Sequence, residues 1–293
     1  MTKSTLGPVL GLVANALVFG VCWWPLREMQ WRGLHPLWAT SLMYGLSFAF
    51  ICMLRPQWFR SLRQHPQLWW LFLGSGLTNL GFNWAVTQGD VVRVVLLFYT
   101  MPAWSVLFAW WLLDEKPHRM AMLRLLLALC GVALVLKTPE TPWPWPSGAM
   151  DYLALLGGAS FALNNAMLRK LAYLPESDRM AAMFGGGMCI TAVAAAALAP
   201  LGLANLPTDV SWWPFALGLS LCLLFSNLSL QYGAARLPAH TTALVMLSEI
   251  VFATASSVFM GVSELSLRKL MGGLMIVFAA ILATMQAHTK ESE

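Results

Sequence analysis

The residues in this chain with the most chemical potential are amides, aromatic rings and one acid, set in segments that are otherwise apolar. Ser75, Asn79, Asn83 and Val86 follow one another at helical spacing with Phe82 beside them, so a helix would carry them on one face. A later segment repeats the pattern with Ser220, Asn227 and Gln231, and Asn15, Ser160, Asn164 and Asn165 add further polar groups. Phe19, Phe82, Trp84, Tyr99, Trp104, Phe161 and Phe225 thread through the same segments. Rings interleaved with amides suit a ligand that has a flat apolar part and a zwitterionic head, because stacking recognises the first and hydrogen bonds the second. Each amide taken alone reads equally well as glue between helices, and each ring as packing. As a set the amides point to a polar cavity, since packed dry each would need a full complement of partners.

Glu249 is the carboxylate that falls nearest the middle of an apolar segment. Such an acid either meets a substrate ammonium, carries a coupling proton, or serves as a protonated, hydrogen-bonded group at a helix crossing. Asp90 with Arg93, Glu115 and Glu264 stand at segment ends and read as solvated or structural charges. No phosphate-binding loop, dinucleotide fingerprint or HExxH pair occurs, and the five histidines are scattered. The five cysteines lack CxxC spacing and read as small apolar side chains instead of metal ligands or disulfides. The expectation is a non-enzyme with no catalytic residue, no metal, no cofactor and no nucleic-acid partner.

The elements that must hold these residues are membrane helices. Hydrophobic residues make up 58% of the chain and charged ones 11%, against about 25% charged in soluble domains, and the mean hydropathy is +0.65. Continuous apolar runs such as 123–136 and 192–203 exclude the short alternating strands of a membrane barrel. A span needs roughly 20 apolar residues, and ten segments are predicted: 7–27, 36–54, 69–88, 91–113, 119–137, 148–170, 180–200, 212–234, 239–260 and 267–286. The first reads as a spanning helix and not a cleaved leader, because its apolar part is too long and no A-x-A site follows. Tryptophans near the predicted ends (Trp23-Trp24, Trp69-Trp70, Trp110-Trp111, Trp143, Trp145, Trp212-Trp213) read as interfacial anchors.

The proline-rich stretch TPETPWPWPSG (138–148) is the midpoint. It divides the chain into a first five-helix repeat (1–137), a Pro/Trp-rich linker (138–147) and a second five-helix repeat (148–293). Residues 78–115 can be laid on 226–264, with Asn79 on Asn227 and Asn83 on Gln231, and FGVCWWPLRE (19–28) on FALNNAMLRK (161–170). Five spans per half is odd, so the repeats are inverted, and a substrate site between them near the midplane follows. Pro102, midway along the fourth segment, frees a backbone carbonyl and predicts a bend. With ten spans both termini share a face. Of the 18 Lys and Arg residues only Arg27, Arg32, Arg93, Lys137, Arg268 and Lys269 fall on the opposite face, which makes the termini cytoplasmic and accounts for the net charge of +5.

The segment FYTMPAWSVLFAWWLLDEKP (98–117), with its weaker copy ending VFMGVSELSLRKLMGG (258–273), resembles the EamA family of the drug/metabolite transporter superfamily. The second copy departs from the pattern, with Ile250 where the first has Pro102 and Glu264 one residue off the register of Glu115. Within that family the tryptophan-rich first half is most similar to the YddG-type exporters of aromatic amino acids. The resemblance implies a multi-pass carrier of the bacterial inner membrane that works as a monomer by alternating access, with amino acid and lipid bilayer as its partners. Asn79, Asn83, Asn227 and Gln231 would then hold the polar head, and Phe19, Tyr99, Trp104 and Phe161 the ring, with Asn15, Phe82 and Asn164 beside them. An exporter of a cationic drug or another small metabolite is the alternative, with Glu249 binding the cation.

Overall fold

The computed structural model describes residues 6–278 except 55, 57, 115–118, 137–145, 207–208, 235–244, 246–247, 263 and 276, and all regular structure among the described residues is helical. The helices in chain order are α1 (Leu6–Val21), α2 (Trp23–Trp31), α3 (Pro36–Leu54), α4 (Trp58–Gln64), α5 (Leu68–Gln88), α6 (Val91–Phe98), α7 (Met101–Leu113), α8 (Arg119–Leu136), α9 (Ala149–Lys170), α10 (Glu176–Leu198), α11 (Trp213–Ala234) and α12 (Ser248–Phe259). A further helical stretch covers 267–275. Among the described residues, five stretches are long and apolar enough to cross a membrane: Leu6–Trp31, Pro36–Leu54, Val91–Leu112, Glu176–Leu201 and Trp213–Leu230. Most of the predicted linker and the end of the last predicted segment lie outside the described residues, as do Glu115 and the first part of the ninth segment.

Two predicted spans are interrupted. The first turns at Cys22, between α1 and α2. The fourth breaks at Tyr99-Thr100, between α6 and α7, just ahead of Pro102. A proline lacks the N–H that would bond four residues back, so the carbonyl released is that of Phe98 and the break precedes the proline. Around it the ladder tightens, with Thr100 N–H reaching Leu97 O at 3.1 Å and Ala103 N–H reaching Thr100 O at 2.9 Å. The polar corner Gln88-Gly89-Asp90 forms as predicted: α5 ends there, and the Asp90 carboxylate caps α6 by accepting from Arg93 N–H at 2.8 Å. At Gly33, φ of 86° closes α2, with Gly33 N–H on Gln30 O and Leu34 N–H on Met29 O, the paired bonds that satisfy the last carbonyls of a helix. The helix α4 was not predicted, since WFRSLRQ is far too short to span.

Helix α5 packs most extensively on α9 and α10; α10 also lies on α3, α1 lies on α11 and α12, and α7 lies on α9. Between membrane helices, close backbone approach replaces the hydrophobic drive of water-soluble cores, which favours small residues at the contacts. A Cβ on Gly81 would meet Leu153 O at 2.5 Å and Gly157 N at 2.9 Å, and one on Gly186 would collide with the backbone of Phe72. The Gly185–Gly187 run therefore packs inside the chain against Phe48, Phe72 and Tyr44. Outward faces carry Leu42, Leu46 and Phe50 on α3 and Leu217, Leu221, Phe225 and Leu228 on α11, all exposed in the way lipid-facing side chains are. Trp24, Trp69, Trp70, Trp110, Trp111 and Trp213 are exposed as anchors should be, but Trp23 is not: at 1% exposure it turns inward and donates from Nε1 to Ser256 Oγ at 3.0 Å.

Candidate functional site

The break between α6 and α7 gathers the chemistry. Phe98, freed of its helical partner, has its ring 4.6 Å from Phe82 of α5, 5.4 Å from Phe161 of α9 and 5.9 Å from Tyr99, centroid to centroid. Gly157 and Gly158 on α9 make this approach feasible. A Cβ on Gly157 would lie 3.4 Å from the Phe98 ring, and one on Gly158 would strike the Phe98 carbonyl. Three rings predicted for the site, Phe82, Tyr99 and Phe161, thus converge, and the ring that joins them is Phe98. Its signal in the sequence was its place four residues ahead of Pro102.

Tyr99 donates from its hydroxyl to Glu249 Oε2 at 2.9 Å, linking α6 to the first turn of α12. Glu249 is 7% exposed and lies against α1, where a Cβ on Gly20 would meet Glu249 O at 3.0 Å and Phe252 Cβ at 2.7 Å. Buried Cys22 feels the charge of Glu249, Tyr44 is buried beside Cys22, and the Tyr44 hydroxyl interacts with Asn79. Both interrupted helices therefore point their breaks at this acid. Interrupted helices at membrane depth are tolerated where the released backbone is buried or lines a cavity.

The amides divide. Asn79 donates to Ser75 O of its own helix at 2.8 Å, and Asn83 donates to Thr40 Oγ1 of α3 at 3.2 Å, so each amide nitrogen has a partner, the first within α5 and the second on α3. Ser75 Oγ donates across to Met183 O of α10 at 3.0 Å. Asn15 donates to Ser226 Oγ at 2.6 Å and Ser226 O at 3.0 Å, tying α1 to α11. Three buried polar atoms near these contacts, Asn15 Oδ1, Asn164 Oδ1 and Thr100 Oγ1, find no hydrogen-bond partner among the described residues. Phe19 is partly buried one turn before Cys22, whose thiol donates to Phe19 O at 3.0 Å. Asn227 and Trp104 are partly buried on α11 and α7, while Phe225 faces outward at 57% exposure. The side chains of Gln231 and Pro102 lie outside what the structure describes.

One end of the bundle carries a set of linked charges. Arg93 binds Asp151 of α9 at two points, Nε to Oδ1 at 2.8 Å and Nη2 to Oδ2 at 2.7 Å, and Ser147 N–H adds a bond to the same carboxylate at 2.9 Å. Asp90 and Arg93, read as solvated or structural charges, are joined by the Arg93 backbone N–H, and Asp90 also accepts from Lys269 Nζ at 2.8 Å. Arg27 clasps the C-terminus of α5, donating to Thr87 O at 2.8 Å, to Val86 O at 3.3 Å and to Gly89 O. Nearby, the His35 imidazole packs edge-on to Trp84 at 5.3 Å, and burial pushes its pKa below the ordinary value.

Comparison with known proteins agrees with the helical, apolar build. Residues 6–137 match the model of the EamA-like transporter family. Over 183 residues the chain is 27% identical to an uncharacterized transporter of Pseudomonas aeruginosa, covering 58% of this chain and 57% of that one. Over 182 residues it is 28% identical to the uncharacterized transporter YojE of Bacillus subtilis, covering 57% of each. The match spans little more than half the length of these relatives. A solved crystal structure with 19% identity superposes at a TM-score of 0.57 over 97% of this chain and 98% of that one, so the shared fold extends over nearly all of the chain. Over residues 6–137 the chain is thus similar to the EamA-like transporter family, and over little more than half of its length to two transporters.

Proposed function

We propose that the chain is a ten-helix exporter which carries aromatic and other apolar amino acids across the bacterial inner membrane by alternating access, with both termini cytoplasmic. The observation that carries this reading is the buried Tyr99–Glu249 contact beside the Phe82, Phe98 and Phe161 rings. A substrate ammonium would take the place of the Tyr99 hydroxyl on the Glu249 carboxylate, helped by the carbonyl oxygens of Asn15 and Asn164. The substrate ring would lie against the phenylalanines, and the freed Tyr99 and Thr100 hydroxyls would donate to its carboxylate. The choice of amino acids comes from the family resemblance; the acid and the rings are chemically suited to it.

Two inverted five-helix halves, 1–137 and 148–293 joined by 138–147, fit the way contacts recur. Helix α5 lies on α9 as α11 lies on α1, α5 on α10 as α11 on α3, and α7 on α9 as α12 on α1. Exchanging the halves maps each contact onto another, which is what an approximate two-fold relation produces. The break at Tyr99-Thr100 is then a hinge of the first half, with Pro102 as its cause.

Counterflow in proteoliposomes tests the reading. Vesicles loaded with unlabelled phenylalanine or tryptophan should accumulate labelled phenylalanine faster than protein-free vesicles, and no exchange across several amino acids overturns it. The buried carboxylate also favours a second reading, export of a cationic drug or metabolite. Exchange of a quaternary ammonium dye without amino-acid exchange would select that one.

A further inference from the structure

Away from the centre, a cavity of about 460 Å³ opens where α3 ends, between α4 and the start of α10. Its size falls in the range of about 300–1,000 Å³ that holds small ligands. Arg60, Gln64 and His65 line one wall, Ser177 and Asp178 the other, and Leu54 and Trp58 the rim. Arg60 makes no hydrogen bond or ion pair among the described residues, so a solvated guanidinium faces the Asp178 carboxylate across the space. Asp178 Oδ2 accepts from Ser61 Oγ at 2.6 Å, which fixes the carboxylate. The helix α4 is anchored by buried Trp58 and Leu62 and exposes Phe59, Arg60, Arg63 and Gln64, the two-faced character of a helix lying at a membrane surface. A second feature points to the ligand. The outward residues Leu42, Leu46, Phe50 and Leu54 follow one another at intervals of four, forming an exposed apolar track along α3 that ends at the cavity rim.

We infer that this cavity binds a phospholipid with a phosphoethanolamine headgroup, its phosphate on Arg60 and His65, its ammonium on Asp178 and Gln64, and an acyl chain along the α3 track. A cation and a carboxylate held apart match a zwitterion with N–H donors. A trimethylated headgroup cannot donate to Asp178, and a glycerol headgroup brings no positive charge to it. The inference stands apart from the transport reading, because its readout is binding.

The test is native mass spectrometry of the delipidated full chain titrated with phosphatidylethanolamine, phosphatidylcholine or phosphatidylglycerol of identical chains. One phosphatidylethanolamine should be retained with an apparent Kd about tenfold lower than the others, and Arg60→Gln should raise that Kd by about tenfold or more. Asp178→Asn should abolish the preference over phosphatidylcholine. Arg63→Gln, on the same helix and outside the cavity lining, should change nothing. Should Asp178→Asn loosen α4 through Ser61, the Arg60→Gln result decides alone. Equal retention of the three lipids, or wild-type binding by Arg60→Gln, overturns the assignment. Binding of free O-phosphoethanolamine without any preference among the lipids overturns it in favour of a soluble phosphate ester.

Discussion

Two seams hold this bundle together, and they are built differently. Where α5 meets α9 and α10, glycines lie against backbone on both sides: Gly81 on Leu153 and Gly157, Gly76 on Gly186, Gly186 on Phe72. Where α11 meets α1 and α3, contact with α3 is much slighter, and the α1 glycines meet mixed partners, Gly11 the Ser229 carbonyl at 3.0 Å and Gly7 the tip of the Tyr232 ring. A backbone-to-backbone contact has one position at which it fits, whereas a contact made by side-chain tips tolerates sliding. The first seam is a fixed keel, and the second yields and can slide where Gly7 meets a ring tip.

The largest effect should come from wedging the keel. Gly186→Val would drive a branched side chain into the Phe72 backbone and cost about 3 kcal/mol or more, seen as loss of the monodisperse peak in detergent. Gly7→Ala on the second seam should leave that peak intact, and equal damage from both would break the distinction. Next is the contact that joins the seams. Glu249→Gln should fold and yet slow amino-acid counterflow by about tenfold, while Tyr99→Phe should act in the same direction; unchanged flux in both removes the acid from the site. Asn15→Leu, which deletes two bonds across the sliding seam, should destabilise by about 1–2 kcal/mol, against about 0.6 kcal/mol for Asn83→Leu with its single bond. Thermal denaturation in one detergent compares the pair, and the reverse order would assign the amides other roles. The smallest effect belongs to Asp90 and Lys269. A double-mutant cycle of Asp90→Asn and Lys269→Gln should give a coupling under about 1 kcal/mol that fades as salt is raised.

Much of this arrangement was legible in the residues. Apolar runs near span length and proline punctuation set the helical segments, and the short polar stretch Gln88-Gly89-Asp90 marked the α5–α6 corner. Less legible was what depends on direction. Trp23 and Trp24 look like a pair of anchors, but neighbours on a helix point about 100° apart, so only one can face lipid. Arg93 read as a solvated or structural charge at a helix end, and its carboxylate partner, on α9 and 58 residues away, is a contact that sequence proximity does not suggest. Pro102 marked a bend, yet the break falls earlier because a missing N–H is felt four residues back. Asn79 and Asn83 were legible as polar residues in lipid surroundings. The Ser75 partner of Asn79 follows from the four-residue spacing within α5, whereas the Thr40 partner of Asn83 depends on where α3 lies, which that spacing cannot reveal.

The grip of Arg27 on the end of α5 gives the bundle a mechanical connection. Arg27 sits at the middle of the nine-residue helix α2, five residues beyond Cys22, or about 7.5 Å at 1.5 Å per residue. Cys22 feels the charge of Glu249, and Arg27 holds the corner whose Asp90 is bonded to Lys269. A tilt of this short arm at the acid would therefore reach the ion pair that ties the corner to the last helical stretch.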